Sequence, residues 1–256
     1  MDLSYAEKLD KLQIRIRAHK EFANFDIGDW IDNLCAGSVR RRILDVGCGS
    51  GNHLGIYAKH VGASGQVVGI DRERGLIDAA RVAHSGDPQI TLILGSMDAE
   101  LPFPDASFDL CFSNFAIYNA TDLRATLSEI HRVLEPGGKV VLIGPTRNNA
   151  MEIYEYNERL TGIAIDPITL VRTDRLRVEV LPLVRSIFTC VTEEILNSFL
   201  TFPNAEEFLL YFRSTMVYEE TAEKRGVTPE AMRAAMPTAA RPVVSKEMLA
   251  ITATRE

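Results

Sequence analysis

The sequence is poor in cysteine and has none of the spacings that bind zinc. Its 256 residues contain four cysteines, which lie far apart and form no C-x-x-C pair. This pattern excludes a zinc finger and a disulfide framework. It predicts reduced thiols in a cytoplasmic protein. Three of them are expected to be small buried residues, namely Cys48, Cys111 and Cys190.

An excess of basic charge and a long apolar run are also missing. Lys and Arg number 28 against 35 Asp and Glu, so the formal net charge is −7. A protein that coats nucleic acid needs an excess of positive charge. No uncharged apolar run reaches the roughly 18 residues of a membrane span, and the charged first twenty residues are unlike a signal peptide. These absences predict a globular protein with neither a nucleic-acid nor a membrane partner.

What the sequence does contain is a regular alternation of strands and helices. Apolar spacing predicts helices at residues 3–22 and 27–34 before a strand at 41–46. Further strands are expected at 67–71, 90–94, 108–113 and 139–143, with helices at 52–60, 75–83 and 123–134 between them. Apolar strands separated by helices indicate an α/β fold, with a parallel sheet covered on both faces.

The pattern is less regular after residue 145. It predicts helices at 151–160, 168–180 and 204–212, a helix start at 228–230, and extended segments at 186–191, 195–202 and 248–254. With no repeat, low-complexity tract or flexible linker, residues 1–256 are expected to form a single domain.

The most informative segment follows the first predicted strand. Asp45 ends that strand, and Gly47, Gly49 and Gly51 follow at alternate positions. Such glycines allow positive φ and let the backbone approach a ligand closely. The spacing is not the G-x-G-x-x-G of dinucleotide folds. Asp71, twenty residues after Gly51 at the end of the next strand, is placed to accept both hydroxyls of a ribose.

Asp45 to Gly51 resembles the first motif of class I S-adenosylmethionine-dependent methyltransferases. Further segments agree in order and spacing: Val68 to Asp71, Gly95 to Phe103, Ser107 to Leu110 and Arg132 to Lys139. Together they cover residues 40–145 and resemble the small-molecule subgroup of the ubiquinone pathway and secondary metabolism. The resemblance implies a Rossmann-like fold with a mainly parallel seven-stranded sheet, a helical N-terminal cap at 1–37, a cofactor-binding half at 38–146, and a substrate-binding half with inserted helices at 147–256.

The resemblance also implies S-adenosyl-L-methionine as the cofactor and a role for each matching residue. Asp45 would hold the amino end of the methionine moiety, Asp71 the ribose, and Met97 the adenine face. The remaining cofactor candidates are Gly47, Gly49, Gly51, Arg72, Asp98, Ala99 and Asn114, with Asp98 accepting from the adenine amine.

Catalysis and substrate binding have weaker signals. His19, on the N-terminal segment, and Tyr118, after the fourth strand, are the candidate catalytic residues, although each is also compatible with a purely structural hydrogen-bonding role. Substrate contacts are expected from Phe115, Tyr118, Arg147, Asn148 and Tyr154. No metal site is expected.

The predicted function is transfer of a methyl group from S-adenosylmethionine to an O, N or C atom of a small organic molecule by in-line displacement. The alternatives are an RNA or protein methyltransferase and a non-catalytic, cofactor-binding regulatory subunit. A homodimer is compatible with the sequence.

Overall fold

The computed structural model describes residues 8–36, 40–236 and 241–256. The first seven residues of the chain, including the start of the helix predicted at 3–22, lie outside the described residues, as does Gly37 at the end of the predicted cap. The order of elements is α1 (Leu9–Phe22), α2 (Ile27–Cys35), β1 (Arg40–Val46), α3 (Leu54–Ala58), β2 (Val61–Asp71), α4 (Arg74–Ala83), β3 (Ile90–Leu94), β4 (Phe108–Asn114), α5 (Leu123–Val133), β5 (Leu134–Pro145), α6 (Met151–Thr161), α7 (Pro167–Thr173), α8 (Leu181–Ile187), β6 (Thr189–Thr201), α9 (Ala205–Arg213), α10 (Met216–Tyr218), α11 (Pro229–Ala234) and β7 (Val243–Thr254).

The seven strands form one sheet in the order β3-β2-β1-β4-β5-β7-β6. The first five strands in that order pair in parallel. β7 then runs antiparallel to both β5 and β6. This arrangement confirms the predicted α/β fold with a mainly parallel seven-stranded sheet. The change of strand order beside β1 leaves a crevice at the carboxyl ends of β1 and β4, where open α/β sheets bind ligands.

Hydrophobic side chains cover both faces of the sheet. One cluster joins β4 and β5 to α5 and α8, and a second joins β1 and β4 to α2, α3 and α4. A third cluster lies apart, where Ala18 of α1 packs with Phe202, Phe208 and Phe212 near α9. The third cluster connects the N-terminal helix to the C-terminal half of the chain.

The C-terminal half departs from the sequence prediction in three places, one of which is β7, whose start at Val243 lies five residues before the predicted one. The helix predicted at 168–180 ends at Thr173, and a turn of π-helix at Leu176–Val180 leads into α8. Asp174 is buried at the break, where its carboxylate accepts from the backbone N–H of Arg147 at 3.2 Å. Because Arg147 and Asp174 are 27 residues apart, local periodicity does not predict this contact.

The third departure concerns the segments predicted as extended at 186–191 and 195–202. Residues 186 and 187 belong to α8, and a single bulged strand, β6, covers residues 189–201. Cys190 at the bulge is exposed, so the prediction that it is buried is wrong, whereas Cys48 and Cys111 are buried as expected. The bulge, between Thr189 and Thr192, inserts extra residues without ending the strand.

Candidate active site

The glycine loop connects β1 to α3 at the carboxyl edge of the sheet. Gly47, Gly49 and Gly51 have φ values of +79°, +55° and +79°, which side chains other than glycine rarely adopt. A Cβ on Gly47 would overlap Ala116, whereas one on Gly49 would meet only Leu12 of α1, at 3.8 Å. The middle of the loop therefore faces open space beneath α1.

Asp71 fastens this loop to the end of β2. Its Oδ2 accepts from the N–H of Gly49 at 2.9 Å, and its Oδ1 accepts from the N–H of Glu73 at 2.9 Å. A carboxylate oxygen has more than one acceptor site, so the half-buried Asp71 retains capacity for ligand hydroxyls. Arg72 is exposed, and its guanidinium lies 3.4 Å from the carboxylate of Glu73.

Asp45 is the most perturbed acidic group of the site. Asp45 is 3 % exposed, and its Oδ1 has no hydrogen-bond partner among the residues that the structure describes. Burial and, to a smaller extent, the nearby carboxylate of Asp71 raise the pKa of Asp45 to about 8. An acid buried without a partner is costly to the fold, so this oxygen is suited to a ligand that supplies a donor or a positive charge.

Met97, Asp98 and Ala99 follow β3. The methyl group of Met97 would lie 3.2 Å from a Cβ on Gly47, which places the thioether beside the glycine loop. Asp98 is exposed, and its Oδ1 accepts from the N–H of Thr121 at 2.7 Å. The N–H of Ala99 donates to the carbonyl of Ser96 at 3.3 Å. Met97 thus lies at the loop, while the adenine contacts of Asp98 and Ala99 stay predictions.

Asn114 ends β4 inside a buried polar network that the sequence analysis missed. Its Nδ2 donates to the hydroxyl of Tyr57 at 2.7 Å and lies 3.3 Å from Nδ1 of His53, while its Oδ1 has no partner. Burial lowers the pKa of His53 to about 4, so its ring is neutral. The i, i+4 spacing of His53 and Tyr57 just after the glycine loop is the signal from which this network could have been predicted.

Phe115 is the first residue beyond β4 and has a strained backbone. Its φ is +56° and its side chain is 37 % exposed, although bulky residues seldom adopt left-handed conformations. Its N–H is held by the carbonyl of Ile143 at 2.7 Å. Strain of this kind is concentrated at functional sites, which agrees with the substrate contact predicted for Phe115.

His19 lies half-buried on α1, with its ring centroid 6.4 Å from that of Tyr211. Burial, Lys246 and Arg15 together lower the pKa of His19 to about 3. The imidazole is therefore neutral at physiological pH and able to accept a proton. Lys246 was not singled out by the sequence analysis, although a lysine within an apolar strand pattern is a usable signal.

The other predicted substrate residues have structural partners. The ring of Tyr118 lies against Gly144, where a Cβ would be 2.9 Å from it. Arg147 and Asn148 are exposed, and Asn148 donates to Glu247 at 3.0 Å. A hydrogen bond links Tyr154 to Thr173, and burial raises the pKa of Tyr154. The catalytic role of Tyr118 and the substrate roles of all four stay predictions.

The part of the chain that the structure describes contains neither a metal-binding cluster nor a helix that could cross a membrane. Across residues 8–36, 40–236 and 241–256, no three His, Cys, Asp or Glu side chains come together as a group able to hold a metal ion. Within the same ranges, no helix has both the length and the apolar composition needed to span a membrane.

Part of the chain is similar to a known protein family. Residues 44–142 match the family described as "Methyltransferase domain". A demethylmenaquinone methyltransferase of Symbiobacterium thermophilum is 39% identical over 104 residues, which are 40% of this chain and 41% of that protein. A 2-phytyl-1,4-naphtoquinone methyltransferase of Nostoc sp. is 33% identical over 138 residues, 53% of this chain and 58% of that protein. The aligned stretches therefore span 41% and 58% of the length of these two curated relatives.

A solved structure extends the likeness to most of the chain. The YcgJ protein of Bacillus subtilis superimposes with a TM-score of 0.62 over 90% of this chain and 98% of its own, at 16% identity. At that identity the likeness concerns the fold alone. Together the comparisons confirm the predicted fold, and they confirm the resemblance to methyltransferases for residues 44–142.

Proposed function

We propose that this chain transfers a methyl group from S-adenosylmethionine to a small organic molecule. One observation carries the proposal: a glycine loop is tied to β2 through Asp71, directly beside the buried Asp45 oxygen that lacks a partner. The motif from Asp45 to Gly51 and Asp71 resemble the cofactor-binding residues of methyltransferases. The family match at residues 44–142 supports the same function.

The residues of the site fit S-adenosylmethionine in charge and shape. The ammonium of its methionine moiety is the kind of donor that the unpartnered Oδ1 of Asp45 lacks. Asp71 retains acceptor capacity for ribose hydroxyls, and Met97 offers a polarisable surface to an aromatic ring. The open space before Gly49 leaves room for the chain to approach a ligand closely. When bound, the cofactor supplies a methyl group on a positively charged sulfur.

The protein's own part is to position the reactants and to exclude water. α1 lies over the loop, because Leu12 is the side chain nearest to a Cβ on Gly49. Phe115, strained and half-exposed at the end of β4, offers an apolar surface next to Asn114. In-line displacement requires the acceptor atom within roughly 3–3.5 Å of the methyl group, and a covered apolar site favours that alignment.

Proton removal is needed only when the acceptor atom carries a proton that it must lose. His19 is the predicted base, but its ring lies beside Tyr211, about 10 Å along α1 from the Leu12 that covers the loop, so its catalytic role stays a prediction. Because the pKa of His19 lies far below its usual value, the ring is a weak base. It is suited to an acidic acceptor more than to an alcohol.

A small acceptor is preferred over RNA or protein because the net charge is −7. The names of the relatives agree, since those proteins are called demethylmenaquinone and phytyl-naphthoquinone methyltransferases. A non-catalytic binding subunit stays the alternative from another class. A homodimer and a cytoplasmic location remain predictions.

Calorimetric titration with S-adenosylhomocysteine tests the cofactor assignment. Asp71→Asn keeps an acceptor for the N–H of Gly49 but loses the charge, so it should weaken binding about tenfold. Asp78→Asn, an exposed carboxylate on α4, is the matched control and should bind normally. Equal affinity in the two variants would remove Asp71 from the site.

Transfer of labelled methyl groups into a metabolite extract then tests the reaction. Label in small organic molecules is the expected outcome. Label in macromolecules would favour the RNA or protein alternative. Cofactor binding without any transfer would favour the regulatory subunit.

A further inference from the structure

Lys246 occupies a position on β7 where the strand alternation places apolar side chains. Its neighbours on the same face of the strand, Val244 and Met248, are buried in two different hydrophobic clusters. Ala18 of α1 belongs to the same cluster as Val244, so α1 and this face of β7 border one apolar cluster. A fully buried lysine is rare without a partner, whereas a half-buried lysine such as Lys246 packs its stem on the apolar residues and keeps its ammonium near the surface.

The ammonium of Lys246 has little to balance its charge. Its polar partner is the buried hydroxyl of Tyr211, to which it donates at 3.5 Å. Among the residues that the structure describes, no carboxylate lies within 4.0 Å of Lys246. A phenol oxygen at this distance offsets only a small part of a half-buried positive charge.

The surroundings of this ammonium add further positive charge. Arg15, one turn before His19 on α1, donates to the carbonyl of Ser214. Arg15 and Lys246 both lower the pKa of the His19 ring that faces Tyr211. Two positively charged side chains therefore lie near the His19 ring.

This group lies beyond the edge of the sheet that holds the candidate cofactor site. Asn114 pairs with Ile143, and Ile143 pairs with Ala250 of β7. Lys246 lies four residues before Ala250, on the part of β7 that extends past the end of β5, roughly 13 Å further along the strand. On α1, His19 follows Leu12 by seven residues, or about 10 Å along the helix axis. A small organic molecule spans distances of this order.

We propose that Lys246 and the Tyr211 hydroxyl, covered by α1, bind an anionic oxygen of the methyl acceptor, either a carboxylate or an ionised phenol. Lys246 supplies the charge and Tyr211 a hydroxyl hydrogen bond. The inference rests on the proposed function only in identifying the bound anion as the methyl acceptor. The substrate class that follows is a small organic acid with an acidic oxygen remote from the cofactor loop.

The test is a ¹⁹F NMR titration of the protein saturated with S-adenosylhomocysteine. The probes are 4-fluorobenzoate, pentafluorophenolate and the neutral 4-fluorobenzamide. We expect at least one anion to bind about tenfold or more tightly than the amide. A preference between the two anions identifies the source of the charge as carboxylate or phenolate. This comparison uses only the wild-type protein and needs no variant to fold.

Variants then assign the binding to the lysine. Lys246→Met should weaken the anion about tenfold or more, and Lys246→Arg should restore most of the affinity. The matched control is Lys139→Met, which changes the net charge equally at an exposed position of β5 and should bind like wild type. Thermal unfolding verifies that each variant is folded.

Three results would overturn the proposal: no binding of either anion, equal binding of anion and amide, or equal anion affinity in Lys246→Met and Lys139→Met. The affinity for S-adenosylhomocysteine is measured separately in the same samples. Anion binding without any cofactor binding would contradict the proposed function while leaving the anion site intact.

Discussion

Replacing Asp45 with asparagine should stabilise the protein, and the gain should depend on pH. The pKa of Asp45 is raised from 3.8 to about 8, chiefly by burial. Between these values the unfolded chain has lost the proton that the folded protein keeps. The folded state then binds more protons, so the stability of the wild type falls as pH rises. Asparagine has no proton to lose and does not incur this cost.

The magnitude follows from the shift. Each pH unit between 3.8 and about 8 costs the wild type about 1.4 kcal/mol relative to the variant. At pH 7, roughly three units above 3.8, the difference is therefore about 4 kcal/mol. Burying an amide in place of a carboxylic acid adds a constant offset, but this offset does not alter the slope with pH.

Urea unfolding of Asp45→Asn and wild type at a series of pH values from 4 to 8 measures that slope. The exposed Asp78→Asn serves as the control and should follow the wild type at every pH. A stability difference that stays constant across the series would refute the reasoning, because it would mean that Asp45 titrates normally in the folded protein. A difference that narrows as pH rises would indicate a partner that stabilises the ionised form.

Two further predictions concern the loop and α1. Gly47→Ala should lower the free energy of unfolding by about 2–4 kcal/mol, because its Cβ would overlap Ala116 in addition to the strain of positive φ. Gly49→Ala should cost only about 1 kcal/mol, since its Cβ has open space and the backbone conformation alone is unfavourable; equal losses in urea unfolding would contradict this account. The pKa of His19 is lowered from 6.5 to about 3, so the wild type should lose about 2 kcal/mol relative to His19→Gln between pH 6.5 and pH 5, as the unfolded chain takes up a proton that the folded protein does not. Parallel stability curves for the two proteins would show that His19 titrates normally.

Local sequence located the first five strands and the glycine loop, although β2 begins six residues and β5 five residues before the predicted starts. The apolar runs predicted at residues 90–94 and 108–113 correspond to β3 and β4 with an end differing by at most one residue. Each of the three glycines of the motif has a positive φ. These features depend on residues near one another in the chain, because strand alternation and backbone sterics act over a few positions. The resemblance to methyltransferases covers the same stretch for the same reason.

Other features required the tertiary structure. The break at Asp174 depends on the distant N–H of Arg147, and β6 becomes one strand only by pairing with β7. The unpartnered oxygen of Asp45 is visible only once the surrounding side chains are in place.

The meeting of His19, Tyr211 and Lys246 is the clearest case. These three residues come from α1, α9 and β7, and nothing near any of them in the sequence indicates the other two. Whether a lysine is solvated or held next to a buried phenol is decided by which elements pack over it. The sequence alone therefore predicted the glycine loop as the candidate cofactor site, because that loop is built from neighbouring residues. The residues of the proposed anion site came together only when folding brought the two ends of the chain close to each other.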